Sequence, residues 1–337
     1  MLTLARIGVC AVVLLAAHAA AAADVFAGKT ITITTFGGVG NNYDAYARLL
    51  ARHLGRYIPG KPGFLNINQP GGGGLTAMNY AARIAPQDGT HITFASDGLL
   101  MFEAMGRPGL QDSLATFKWL GALSNSNMAT VTWYTSGVKT LDDAKTRDVR
   151  LGGSGAGAMS SVIPEVYNSF VGTRFVLIQG YQGAQEQHLA MFRGEIDGRG
   201  AASWTSLKNL LGKEIGEGKL HVVAQIGARR EPDLQNVPLL VDLVANDPKK
   251  LAIAKFISKA LTLSRSVAAP PGVPDERVAI LRKGIADTVK DPEFLMEAAK
   301  LSLDIGFVPG PEVEAIIKDV LSTPKDVVEA TKAVMKL

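Results

Sequence analysis

Three glycine-rich runs punctuate the chain: Gly37-Gly38-Val39-Gly40-Asn41-Asn42, Gly71 to Gly74, and Gly152 to Ala158. Each follows a β-branched or apolar run and precedes an amphipathic one, the strand–turn–helix order of an open α/β sheet. Such turns stand at the carboxyl ends of strands, where ligands of these sheets bind. Glycine lets the backbone approach a ligand closely. The helix start that follows offers unpaired N–H groups and about half a positive charge. The chemistry this suits is anion binding without a charged side chain. The same turns are also ordinary βα connections. Further polar candidates are Asp97, just past a strand, and Tyr181 in the turn Tyr181-Gln182-Gly183. Asp197 and Arg199 lie in Arg193-Gly194-Glu195-Ile196-Asp197-Gly198-Arg199, and Ser203-Trp204 follow. Arg199 could grip a carboxylate bidentately. It could equally pair with Glu195 or Asp197 at the surface, so it ranks below the loop amides. Tyr181 and Trp204 suit packing and ligand contact about equally, having an apolar body and a polar tip.

Catalytic patterns fail on inspection. Gly153-Ser154-Gly155-Ala156-Gly157-Ala158 approximates a dinucleotide fingerprint, but no acidic residue closes the next strand. Gly152-Gly153-Ser154-Gly155-Ala156 approaches a nucleophile elbow, but its fifth residue is alanine. His53, His91, His188 and His221 fall inside expected helices or at strand starts, without metal-ligand spacing. The single cysteine, Cys10, excludes a disulfide framework or a thiolate zinc site within one chain. A binding protein with no catalytic residue, metal or cofactor is therefore expected. The alternatives are an exported α/β hydrolase-type enzyme using Ser154 and His188, or a sensory binding protein without a transport role.

The elements that must hold these turns are legible as strands over 29–36, 64–69 and 91–96, with helices from about 43 and over 75–84. This β-α-β-α-β order implies parallel strands and right-handed crossovers. The pattern restarts with strands over 119–123, 130–134, 149–153, 175–179, 195–199 and 220–226. Helices are expected over 161–170, 184–192 and 204–211. A helix over 248–259, a strand over 260–268 and a mostly helical C-terminus follow. The chain has 337 residues, 47% apolar and 20% charged, with net charge +4. That is enough for about two domains and excludes disorder as the main state. The 35 basic and 31 acidic residues are scattered, which argues against a nucleic-acid partner. Arg6, the apolar run 7–17 and Ala21-Ala22-Ala23 read as a signal peptide over 1–23. The apolar core is too short for an anchor.

The order of several motifs resembles the solute-binding proteins of tripartite tricarboxylate transporters, the Bug family. The carriers are Asn41-Asn42-Tyr43-Asp44-Ala45-Tyr46-Ala47-Arg48, Pro70-Gly71-Gly72-Gly73-Gly74, Pro86-Gln87-Asp88-Gly89, Tyr181-Gln182-Gly183, Gly194-Glu195-Ile196-Asp197 and Ala269-Pro270-Pro271-Gly272-Val273-Pro274. The resemblance spans about residues 28 to 320. It implies a two-lobe periplasmic binding protein fold (type II). Each lobe would be a mostly parallel sheet flanked by helices, with the cleft between lobes. The implied division is 24–125 for lobe 1, 126–260 for lobe 2, and 261–337 for a return to lobe 1 and C-terminal helices. The implied partners are a small organic acid and the inner-membrane permease subunits, with the protein a periplasmic monomer. The resemblance carries ligand contacts onto Gly40, Asn41, Asn42 and Tyr43, and onto Ser154, Gly155 and Ala156. Tyr181, Gly183 and Asp197 are further cleft positions. Asn41 and Asn42 depart from the glycines usual in the family.

Overall fold

The computed structural model describes residues 25–154, 158–181, 184–261 and 263–336. The expected signal peptide and the candidates Gly155, Ala156 and Gly183 lie outside these residues.

β1 (Thr30–Thr35) is β-branched at every position and almost wholly buried, the composition of a strand covered on both faces. It leads into α1 (Asn42–Leu54), whose first turn is capped by the Asn41 side chain accepting from the Asp44 N–H at 2.9 Å. Tyr43, Tyr46, Ala47, Leu50 and Leu54 of this helix are buried against the sheet. The chain continues through β2 (Gly63–Asn68), α2 (Leu75–Arg83), β3 (His91–Phe94), α3 (Leu99–Ala104) and β4 (Lys118–Ser124). It then crosses in three residues to β5 (Met128–Trp133).

A second βα series follows: α4 (Asp143–Thr146), β6 (Val149–Gly153), α5 (Met159–Val171), β7 (Phe175–Gln179), α6 (Ala184–Phe192), β8 (Gly198–Ser203), α7 (Trp204–Gly216) and β9 (Leu220–Ile226). After α8 (Leu240–Leu243) and α9 (Pro248–Leu261) come β10 (Ser264–Ala269), α10 (Asp275–Thr288), α11 (Pro292–Lys300), β11 (Val308–Pro309), α12 (Gly310–Leu321) and α13 (Lys325–Met335). Two sheets result, ordered β11-β4-β10-β3-β1-β2 and β7-β6-β8-β5-β9.

Strands joined by helical crossovers are parallel: β1 to β2 and β3, β6 to β7 and β8. Strands entered where the chain passes between sheets are antiparallel. β10 runs against β3 and β4, and β5 runs against β8 and β9. Each sheet is therefore mixed.

The strand expected over 195–199 begins at Gly198 instead. Asp197 is held in the preceding turn by Arg150, which donates to its carboxylate through the backbone N–H, Nε and Nη2. β8 reads Gly-Arg-Gly-Ala-Ala-Ser, poor in the usual strand formers, yet it is buried throughout. Small residues are required here. A Cβ on Gly200 would lie 2.1 Å from the Ser160 carbonyl oxygen and 2.4 Å from the Pro164 ring. The glycine lets α5 lie directly on β8, which sets Ser160 beside the strand that carries Arg199.

α12 packs on β4 of the first sheet, whereas α13 packs on α5 beside the second sheet and on α9. Lys336, just past α13, pairs with Glu165 of α5 at 2.7 Å. Among the described residues no helix is long and apolar enough to cross a membrane.

Candidate functional site

A cavity of about 760 Å³ opens between the two sheets. From the first sheet's side it is walled by the β1–α1 loop (Val39 to Tyr43), Asp97 after β3, Arg265 on β10, and Leu301 and Leu303 after α11. From the second come Met128, Ser154, the starts of α5 and α6, β8 from Arg199 to Ser203, and Ser206, Asn209 and Leu210 of α7. Of the sequence candidates, Gly40, Asn41, Asn42, Tyr43, Asp97, Ser154, Arg199 and Ser203 are thereby brought together from both sheets.

Three candidates are not at this wall. Asp197 is the partner of Arg150. Burial alone would raise its pKa, but the Arg150 hydrogen bonds and charge hold it below the usual carboxylate value. Trp204 is 4% exposed in an apolar cluster with Val131, Trp133 and Leu207, and its indole N–H donates to Asp233 at 3.2 Å. Tyr181 packs against the same cluster. The Gly71 to Gly74 turn is also away from the cavity lining.

Two of the loop amides are committed within the protein. The Gly40 N–H donates to the Asp44 carboxylate at 2.9 Å, and the Asn41 N–H to the Gly38 carbonyl at 3.2 Å. Asp44, in the first turn of α1, is 2% exposed and also accepts from Arg48 and Asn68. A side-chain carboxylate therefore already takes one of the N–H groups and some of the positive field at this helix start. On the second sheet the Ser154 N–H donates to Ser160 Oγ at 3.1 Å.

Arg199 lines the same cavity from the second sheet. It is 7% exposed on β8. Its Nε donates to Gln187 Oε1 and its Nη1 to His188 Nε2, each at 2.8 Å. Both partners are neutral. Arginine can only donate, so His188 accepts at Nε2 and carries its proton on Nδ1. Burial, reinforced by the Arg199 charge, pushes the His188 pKa down to about 4. Burial likewise lowers the Arg199 pKa to about 10, so the guanidinium stays charged at neutral pH. That shift corresponds to about 3 kcal/mol of penalty on the charged form. Among the described residues no carboxylate forms an ion pair with Arg199. Gln187 also donates to Ser154 Oγ at 2.9 Å, so one buried amide orients both polar groups at the cavity wall.

Sequence reasoning missed Arg265. It is 3% exposed, and its Nη1 lies 3.2 Å from Asp97 Oδ2. The guanidinium sits 4.8 Å from the Tyr43 ring centre and 5.6 Å from that of Tyr46. Tyr43 Oη donates to the same Asp97 carboxylate. Burial, and next the Asp97 charge, raise the Tyr43 pKa well above its ordinary value, so the phenol stays protonated. The available signal was an arginine inside a strand of otherwise small, uncharged residues. Ser206, also missed, joins the two sides: it accepts from Asn42 Nδ2 at 2.7 Å and from Arg265 Nη2 at 3.2 Å. Thr205 adds a second link, donating to Asp304 at 3.1 Å.

No protein-family model matches the chain. A UPF0065 protein of Bordetella bronchiseptica is 24% identical over 298 residues, 86% of this chain and 82% of that protein. A TctC solute-binding protein from Polaromonas, solved with no ligand, superposes with a TM-score of 0.65 at 18% identity. It covers 90% of this chain and 99% of its own. An R. palustris protein solved with adipate gives a TM-score of 0.66 at 17% identity, covering 90% of this chain and 97% of its own. The fold of this chain is that of these two solved structures.

Proposed function

We propose that the protein is a periplasmic solute receptor of the Bug type, which captures a small organic acid and presents it to a tripartite membrane permease. The observation that carries this reading is Arg199, a buried cation in a cavity wall whose partners among the described residues are neutral. An anion completes that environment, and a carboxylate matches the guanidinium fork. The fold and the adipate of one structural neighbour support the same class of ligand.

In this reading 24–125 with 261–337 forms one lobe and 126–260 the other, except that α13 docks on the second lobe. The acid first meets Arg199 and the Ser154 hydroxyl on the second lobe. Gln187 and His188 hold the guanidinium in place, so little orientational freedom is lost on contact. Closure then brings the β1–α1 loop over the ligand, with the Asn42–Ser206 hydrogen bond across the gap. Two charge-assisted hydrogen bonds contribute about 3–6 kcal/mol. Micromolar binding needs about 8 kcal/mol, so water exclusion and apolar contact on hinge closure supply the rest.

The test is thermal shift and calorimetry across a panel of organic acids, with mass spectrometry of whatever ligand the purified protein releases on denaturation. A receptor is stabilised by its acid in proportion to ligand excess and consumes none of it. Hydrolysis of model esters or phosphates that disappears on changing Ser154 or His188 would establish the enzyme reading instead.

A further inference from the structure

We infer that Gln187 is a positioning residue that sets the hydrogen-bond polarity of the cavity wall. It makes Ser154 present its hydrogen beside Arg199, so that this corner takes a deprotonated carboxylate in preference to a carboxamide, an alcohol or a protonated acid. The inference rests on the receptor reading above, but on the direction of hydrogen bonds rather than on a count of charges.

The argument starts from arginine, which has donors and no acceptor. Arg199 Nε lies 2.8 Å from Gln187, so the atom that faces it is the amide oxygen. That contact settles which way the amide points, since its two ends are otherwise interchangeable in shape. Gln187 is 1% exposed on α6, and its Nε2 is thereby turned to Ser154 Oγ, to which it donates at 2.9 Å. Ser154 Oγ accepts this bond, so its own hydrogen points elsewhere. Among the described residues nothing accepts that hydrogen, and Ser154 is exposed and lines the cavity. Ser160 Oγ, which accepts from the Ser154 N–H at 3.1 Å, likewise keeps its hydrogen and lines the same cavity.

The selectivity follows from what is already used. The two side-chain acceptors in contact with Arg199, Gln187 Oε1 and His188 Nε2, are both occupied by it. An ionised carboxylate only accepts and satisfies such donors. A carboxamide, an alcohol or a protonated acid brings a hydrogen of its own, and dehydrating that hydrogen without a partner lowers affinity.

The experiment is a double-mutant cycle in affinity. Calorimetry uses whichever of acetate, hexanoate, adipate and citrate binds the wild-type protein most tightly. S154A, at an exposed position that preserves folding, should weaken binding at least about tenfold, the loss of one charge-assisted hydrogen bond. Q187E keeps the shape of the side chain but replaces the amide donor by an acceptor. The new carboxylate takes the Ser154 hydrogen, and the hydroxyl then turns its lone pairs on the ligand. In the Q187E background S154A should no longer weaken binding, and should strengthen it as that lone-pair contact is relieved. A structural role for Gln187, or the added negative charge by itself, would lower affinity by the same factor with and without S154A. Equal affinity of S154A and wild type overturns the inference, as does an S154A cost that is unchanged in Q187E. Binding lost in Q187E and not regained with S154A also counts against it. In each of these cases the receptor reading stands. Failure of all four acids to bind the wild-type protein overturns both.

Discussion

Replacing Arg199 by glutamine separates binding from folding. The wild-type guanidinium offers a carboxylate two charge-assisted hydrogen bonds, worth about 1.5–3 kcal/mol each, whereas an amide offers one neutral bond of about 1 kcal/mol. The net loss of about 2–5 kcal/mol corresponds to an affinity decrease of about 30-fold to several thousandfold. The unliganded protein should barely notice the change. Glutamine removes a cation that burial destabilises, as its pKa of about 10 records. Against that, the amide leaves either Gln187 or His188 without its present donor. An unpaired buried acceptor costs about 1–3 kcal/mol, so the two effects offset within about 2 kcal/mol. Calorimetry gives the affinity, and urea unfolding without ligand gives the stability. Binding within threefold of wild type would refute the anchor. A loss of several kcal/mol without ligand would show that Arg199 is a structural residue whose charge the fold itself satisfies.

Acid should destabilise the protein before its carboxylates titrate. His188 and His91 are both held neutral by burial, with pKa values of about 4. The unfolded chain protonates them near 6.5, so stability is full above that value and falls with pH between 6.5 and 5. H188N should reduce that slope by about one proton, measured as urea midpoint against pH; an unchanged slope would place His188 in contact with solvent. W204F should lower stability by about 1 kcal/mol through loss of the bond to Asp233 and leave acid affinity unchanged; a tenfold affinity loss would return Trp204 to the cavity wall. S206A removes the acceptor shared by Asn42 and Arg265. It should weaken acid binding about fivefold, as expected for about 1 kcal/mol lost at closure, and equal affinity would mean that this bridge plays no part in capture.

The sequence marked the βα frame well because its elements follow simple periodicities. Val149–Gly153, Phe175–Gln179 and Leu220–Ile226 start and stop where apolar runs meet turn residues. β8 was displaced by three residues because its alanines and glycines carry no strand signal. Their use is in the close approach of α5, which exists only in three dimensions. The glycine turns were correctly placed at strand ends, but which of their N–H groups the protein itself uses was not legible. Whether an N–H is free depends on backbone direction, here set by Gly40 at φ +80° and by a carboxylate four residues on. Asp44 was legible as the partner of Arg48, not as the occupant of the loop. Arg199 was legible as a candidate carboxylate ligand. Its separation from Asp197 was not, because the two stand close in sequence while Asp197 is claimed by Arg150 across the sheet. Arg265 required knowing that β10 returns to the middle of the first sheet.

The last helix has a practical consequence for watching this protein work. α13 leaves the first sheet's layer and docks on α5, where Lys336 meets Glu165. A fluorophore attached at the C-terminus would therefore ride with the second half of the molecule. Paired with a label on the exposed face of α1, it would read closure as a change in energy transfer. Trimming the final turn to shorten a fusion would loosen the strap whose movement the instrument is meant to record.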